Sequence, residues 1–279
     1  MTPRRAAAAL LAPLAAVILL LFYLPQVLLL VVSLGRRSAY GTVVYDLGLA
    51  NYLRAIDPLY LAILWRSLVL AGATTAACLL VAYPVAYWLG RVVPARWRMP
   101  LVTLVILPFW TSFLVRMYAW IVLLRSEGVV NHAPTSMGAP GLELLYNDAA
   151  VLLGQIYGEL PFMIIPLYVS LEKLDAALLE AAADCGAGPW RTFTSVVVPQ
   201  TMPGIVAGCV LVFIPSLGAY LAPDLLGGGK TAYVGNLIQS QFAVARDMPF
   251  GAALSFLLSL LVVLLLVAFR KPIRSAEAL

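Results

Sequence analysis

Two ionisable residues stand inside apolar runs where a charge is expensive: Arg116, between Phe113 and Trp120, and Glu159, between Tyr157 and Pro161. A charge at membrane depth requires a partner, a water-filled cavity or a function. A carboxylate such as Glu159 can hold a cation there, and Trp110, Tyr118, Trp120 and Tyr157 bring ring faces that attract ammonium groups. On a helix Phe113, Arg116 and Trp120 fall near one face, and Gln155 lies one turn before Glu159 on its own face. Pro161 and Pro166 remove backbone donors, so a kink or opened turn lining a cavity is expected. An Arg116–Glu159 ion pair between spans, or an Arg116 stem carrying its head toward the outer interface, uses the same residues with no transport role. Tyr220 and Asp224 extend the polar set beside Pro215, Gly218 and Pro223, which argue for a broken helix. A solvated exterior loop is the plainer place for Asp224.

No other constellation supports catalysis. His132 is the only histidine, and Cys78, Cys185 and Cys209 lack metal-ligand spacing, so no metal site is expected. No nucleophile–base set is present, and the chain does not read as an enzyme. Gly229-Lys230-Thr231 has the end of a phosphate loop, but Asp224 stands where that loop requires its first glycine. The chain is therefore expected to hold no cofactor, and any ATP-driven mechanism would use ATP and Mg bound in a separate subunit.

The elements that must position these residues are membrane spans. A composition of 63% hydrophobic and 11% charged residues over 279 positions excludes a soluble domain. Six spans of about 20 to 25 residues leave no room for a second domain, so residues 1–279 read as one all-α membrane domain. The spans are expected near residues 6–34, 61–90, 99–124, 149–170, 202–221 and 251–269. The Lys and Arg residues are scattered rather than gathered into a stripe, so they serve membrane orientation and not nucleic acid. Arg91, Arg96 and Arg98 crowd one short loop, while Arg4, Arg5, Arg270, Lys271 and Arg274 flank the ends. Both termini are thus expected in the cytoplasm, with residues 126–141 as an exterior loop and Arg66 as an outer interfacial anchor.

One structured interval falls between the fourth and fifth spans. Residues 180–199 open on Glu180, Ala181, Ala182 and Asp184, which favour helix, and Gly186, Gly188 and Pro189 then break it. A helix, a sharp turn and a second short helix follow. Such a pair cannot bury its own apolar side, so Trp190, Phe193 and residues 196–198 must pack on the membrane domain or on another protein. The spacing of Glu180-Ala181-Ala182, Gly186, Val196, Val198 and Pro199 resembles the EAA motif of ABC-importer permease subunits, E-A-A-x3-G-x9-I-x-L-P, with two conservative departures. The stretches around Pro108–Trp120, Leu160–Asp175, Pro203–Pro215 and Val234–Ile238 are similar to the spermidine/putrescine-type branch of that family.

The resemblance implies a type I ABC-importer permease fold in the bacterial inner membrane. Residues 171–200 become a cytoplasmic loop that docks in an ATPase subunit, with Glu180, Ala181, Ala182, Asp184, Gly186, Trp190 and Pro199 as coupling residues. It further implies a second related permease subunit, two ATPase subunits and an exterior solute-binding protein. The expected solute is a polyamine, moved by alternating access along Trp110, Arg116, Tyr118, Trp120, Tyr157, Glu159, Tyr220 and Asp224. Members of this branch often carry an acid at the position of Ala219, and an apolar residue is common at that of Glu159, so the acidic lining has moved or the solute differs. An opine or amino-acid-derived solute, whose carboxylate could use Arg116, is the alternative within the class. An ion-coupled carrier is the alternative outside it.

Overall fold

The computed structural model describes residues 12–13, 16–38, 41–136 and 141–277. Arg4, Arg5 and the start of the expected first span lie outside them, as do the side chains of Arg270, Lys271 and Arg274. Among the described residues five helices are long and apolar enough to cross a membrane. They are α1 (Ala16–Ser33), α3 (Pro58–Val92), α7 (Asp148–Glu172), α9 (Pro189–Gly218) and α12 (Met248–Glu277). The only described sheet is a two-residue antiparallel pair, β1 (Arg36–Arg37) with β2 (Val43–Val44). A short α2 (Ala50–Ala55) follows it.

The third crossing corrects the expectation of one straight helix over residues 99–124. It is a bent pair: α4 (Ala95–Trp110) meets, at 87°, the helical stretch Phe113–His132 that opens with α5 (Phe113–Leu124). Pro108 opens a tight last turn in α4, and its carbonyl accepts both the Thr111 N–H (3.3 Å) and the Thr111 hydroxyl (2.7 Å). Thr111 and Ser112 are then extended, which ends one helix and starts the next.

Three intervals read as loops contain further helices: α6 (Val129–Ser136), α10 (Leu221–Gly227) and α11 (Val234–Ala243). The polar composition of residues 126–141 conceals α6, because its anchor is a buried amide. Asn131 donates to the carbonyls of Arg125 (3.0 Å) and Leu142 (2.9 Å), and its Oδ1 accepts the Leu142 N–H at 2.9 Å. The break expected late in the fifth span is present: α9 ends at Gly218, Ala219 is extended, and α10 closes on Gly228 at φ +59°.

The described chain forms two compact units. One comprises residues 1–62 and 237–263. Its core joins Ala55, Phe250 and Leu254. The Arg54 guanidinium lies 3.9 Å from the Phe250 ring centre and donates to Asp247 at 2.8 Å.

The other unit, residues 63–236 and 264–279, is built around α7. Helix α9 runs antiparallel to it, with Gly204 against Pro166 and Ser170 and Gly208 against Met163. Glycine at these positions lets two backbones approach, the usual means of helix association where lipid offers no hydrophobic drive. One core joins Cys78, Ala82, Ala86 and Leu89 of α3 to Met163, Leu167 and Leu171 of α7 and to Val197 and Val212 of α9. A second joins Leu70, Met117, Val151, Ala222, Leu226 and Tyr233.

Candidate functional site

The bend between α4 and α5 places Phe109, at the end of one helix, over Arg116 on the other. The Arg116 guanidinium carbon lies 4.9 Å from the Phe109 ring centre, 5.4 Å from Phe113 and 5.9 Å from Tyr157. Trp120 stands edge-on to Tyr157 at 5.6 Å, and Phe162 edge-on to Phe109 at 5.0 Å, so the cage is braced from behind. Arg116 is only 9% exposed, and its Nε and Nη1 atoms are sealed without a hydrogen-bond partner. Burying a charge costs several kcal/mol, whereas each ring face returns about 0.5–2 kcal/mol. The rings therefore offset only part of the cost.

Glu159 does not make up the difference. No ion pair within 4.0 Å joins it to Arg116 among the described residues, and its Oε2 is likewise buried without a partner. The Arg116–Glu159 salt bridge considered from sequence is thus not formed, and burial of Arg116 also sets aside snorkelling to the interface.

One turn before Glu159 on α7 stands a further polar residue, Gln155. Thr74 of α3 donates to Gln155 Oε1 at 3.1 Å, while Gln155 Nε2 is left without a partner. Ser216 Oγ is also buried and unpartnered. Thr74 escapes a reading of the sequence because small hydroxyl residues are common in spans; only its bond to Gln155 on another helix marks it.

The other expected pathway residues are not gathered here. Trp110 is 82% exposed and Tyr118 52%. Tyr220 and Asp224 lie at the start of α10, Asp224 exposed. No hydrogen bond, ion pair or ring contact among the described residues joins these four to the Arg116 cage. Arg66, expected as an outer interfacial anchor, is paired: it donates to Asp148 at 2.6 Å, and the Tyr233 hydroxyl donates to the same carboxylate at 2.8 Å. Burial, then the hydrogen bond to Asp148, push the Tyr233 hydroxyl above the ordinary phenol range.

The elbow is built as its residues require. Asp175 caps α8 (Ala176–Asp184) by accepting the Ala177 N–H at 3.0 Å. The helix ends with Gly186 at φ +77°, the Gly186 N–H on the Ala183 carbonyl (2.8 Å) and the Ala187 N–H on the Ala182 carbonyl (3.0 Å). This is a Schellman ending, which glycine alone enters without strain. Pro189 opens α9, and here the expected short second helix is corrected. A widened turn at Phe193–Val197 carries the helix past Pro199 without a break, so α9 is continuous to Gly218. Glu180, Ala181, Asp184, Gly186 and Trp190 are exposed, while Ala182 and Pro199 are half-buried. Trp190 stacks on Phe193 at 5.8 Å, Phe193 meets Tyr83 and Tyr87 of α3 edge-on, and Arg91 donates to the Leu174 carbonyl at 2.8 Å.

Residues 82–271 match the family described as binding-protein-dependent transport system inner membrane component. The chain is 42% identical over 249 residues to the spermidine/putrescine transport system permease protein PotB of Haemophilus influenzae, covering 88% of this chain and 86% of that protein. With PotB of Escherichia coli it shares 40% identity over 253 residues, 90% of this chain and 92% of that one. The crystal structure of a bacterial alginate ABC transporter superimposes with TM-score 0.77 over 96% of this chain and 95% of that chain, at 18% identity, a likeness of fold. The helical membrane architecture, the exposed elbow and a similarity running nearly the length of the chain agree: this protein belongs to the family of binding-protein-dependent transport system inner membrane components.

Proposed function

We propose that the chain is the permease subunit of an ATP-driven importer that carries polyamines, spermidine- or putrescine-like amines, into the cytoplasm by alternating access. The observation that carries this reading is the 42% identity to a spermidine/putrescine permease over 88% of the chain. ATP and Mg bind in two separate ATPase subunits, a second related permease completes the pathway, and an exterior solute-binding protein delivers the amine. Residues 171–200 face the cytoplasm with both termini, and the whole chain acts as one membrane domain. Exposed Glu180, Ala181, Asp184, Gly186 and Trp190 present the elbow to the ATPase, and Phe193 passes its movement to α3. Glu159, Arg116 and the rings of Trp120 and Tyr157 line the solute path, with Trp110, Tyr118, Tyr220 and Asp224 at its margins.

The sealed, unpartnered Nε and Nη1 of Arg116 favour a second reading, an opine or amino-acid-derived solute held by its carboxylate. ATP-dependent uptake of labelled putrescine, spermidine and an opine into vesicles holding the complete reconstituted complex decides between them. Uptake of the amines alone supports the first reading. Uptake of the opine alone overturns it.

A further inference from the structure

We infer that the ring cage around Arg116 is a binding site for a solute ammonium group, and that Arg116 fills it as a tethered stand-in which the solute displaces toward Glu159. This rests on the reading of the solute as a cationic amine. Three elements build the cage: Phe109 from α4, Phe113 from α5 and Tyr157 from α7 surround one cation at 4.9–5.9 Å. Ring faces recognise a cation whatever its identity, so a cage that holds a guanidinium also suits a primary ammonium.

The cage and the carboxylate are the two halves of an ammonium site: the Phe113 ring packs directly on Gly158, the residue of α7 between Tyr157 and Glu159. Each charge lacks hydrogen-bond partners for the atoms it buries. Two cations cannot share one cage, because like charges at such distances repel strongly where water is scarce. Exchange removes the conflict: the ammonium enters the cage, Arg116 swings to Glu159, and each buried charge then has a partner. Phe109 and Arg116 belong to separate helices, joined by the extended Thr111–Ser112 link, so the exchange does not require either helix to unwind. Arg116 thus sets a threshold that only an amine able to compete with it passes.

The test uses the assembled permease–ATPase complex in detergent without the binding protein, reading the putrescine concentration that raises its thermal unfolding temperature. If Arg116 holds the cage about nine-tenths of the time, R116M binds putrescine at about tenfold lower concentration than the wild type. R116K keeps a competing cation and behaves as the wild type. Adding Y157L or F109L to R116M abolishes the gain. Equal midpoints for R116M and wild type, or a gain that survives loss of the rings, overturn the inference. R116Q carries the same test should R116M fail to assemble. Putrescine uptake by the wild-type complex is read in parallel: uptake with no R116M gain sinks the cage, whereas a ring-dependent gain without uptake supports the cage and sinks the polyamine reading.

Discussion

Phe193 stands edge-on to Tyr83, with ring centres 5.4 Å apart and planes 83° to one another. The first residue belongs to the elbow end of α9 and the second to α3, so this contact ties the exposed Trp190 surface to a membrane-spanning helix. Tyr83 extends the tie by sharing a 2.8 Å hydrogen bond with Thr201. An aromatic pair of this geometry contributes about 0.5–1.5 kcal/mol beyond the area it buries. Phe193→Ala is expected to leave assembly with the ATPase intact while loosening transmission. The ratio of ATP hydrolysed to solute imported in proteoliposomes should rise several-fold; an unchanged ratio would show that movement reaches α3 by another route.

Gly186 separates backbone strain from steric clash. Its φ is +77°, yet a Cβ there would meet nothing within 4 Å. A substitution therefore costs only the left-handed conformation, about 1–2 kcal/mol for most residues and less for Asn. Gly186→Asn should retain most ATPase pull-down, Gly186→Asp should weaken coupling, and Gly186→Val should lose most of it. Equal losses in all three would mean that the ATPase contacts the glycine directly.

Much of this organisation was legible in the chain. The Gly186 and Pro189 signals located the ending of α8 and the opening of α9, because each acts through its own backbone. Spans were legible for the same reason: hydropathy accumulates residue by residue. What escaped is how far a local signal goes, and how helices meet in space. Pro108 marks a weak point in the apolar run 99–124, but a proline suits a kinked span as well as a full break, and the 87° bend goes with the Pro108 carbonyl accepting two bonds from Thr111. The continuity of α9 through Pro199 depends on a widened turn, whereas proline composition argued for a boundary. Arg116 and Glu159 were found as charges out of place, but whether they pair is a matter of a few ångströms between helices. Sequence spacing does not encode that distance.

The α7–α9 seam distinguishes two glycines that look alike in sequence. A Cβ at Gly204 would lie 2.6 Å from the Pro166 carbonyl oxygen, which belongs to backbone and cannot step aside. At Gly208 the nearest atom is the Met163 sulfur, also at 2.6 Å, at the end of a side chain that can change rotamer. Overpacking costs about 1–3 kcal/mol when the surroundings must shift. Gly204→Ala is expected at the upper end of that range and Gly208→Ala at or below the lower. Thermal unfolding of the purified complex reads the difference, and a Gly208→Ala variant as damaged as Gly204→Ala would contradict this account.

Glu159→Gln tests whether the buried carboxylate serves the solute or the fold. Glu159 Oε2 has no hydrogen-bond partner and no ion pair reaches Arg116, so the charge is not needed to hold α5 against α7. Removing it should leave thermal stability unchanged or slightly improved, because an uncompensated buried charge is relieved. The solute is affected differently. An ammonium 4 Å from a carboxylate gains about 4 kcal/mol at an effective dielectric of 20, and desolvation returns part of that. A loss of about 1.4 kcal/mol at the barrier already slows import tenfold. Spermidine uptake is therefore expected to fall about tenfold or more, with ATPase stimulation by the loaded binding protein falling less. A variant that loses stability and uptake together would instead make Glu159 a structural residue.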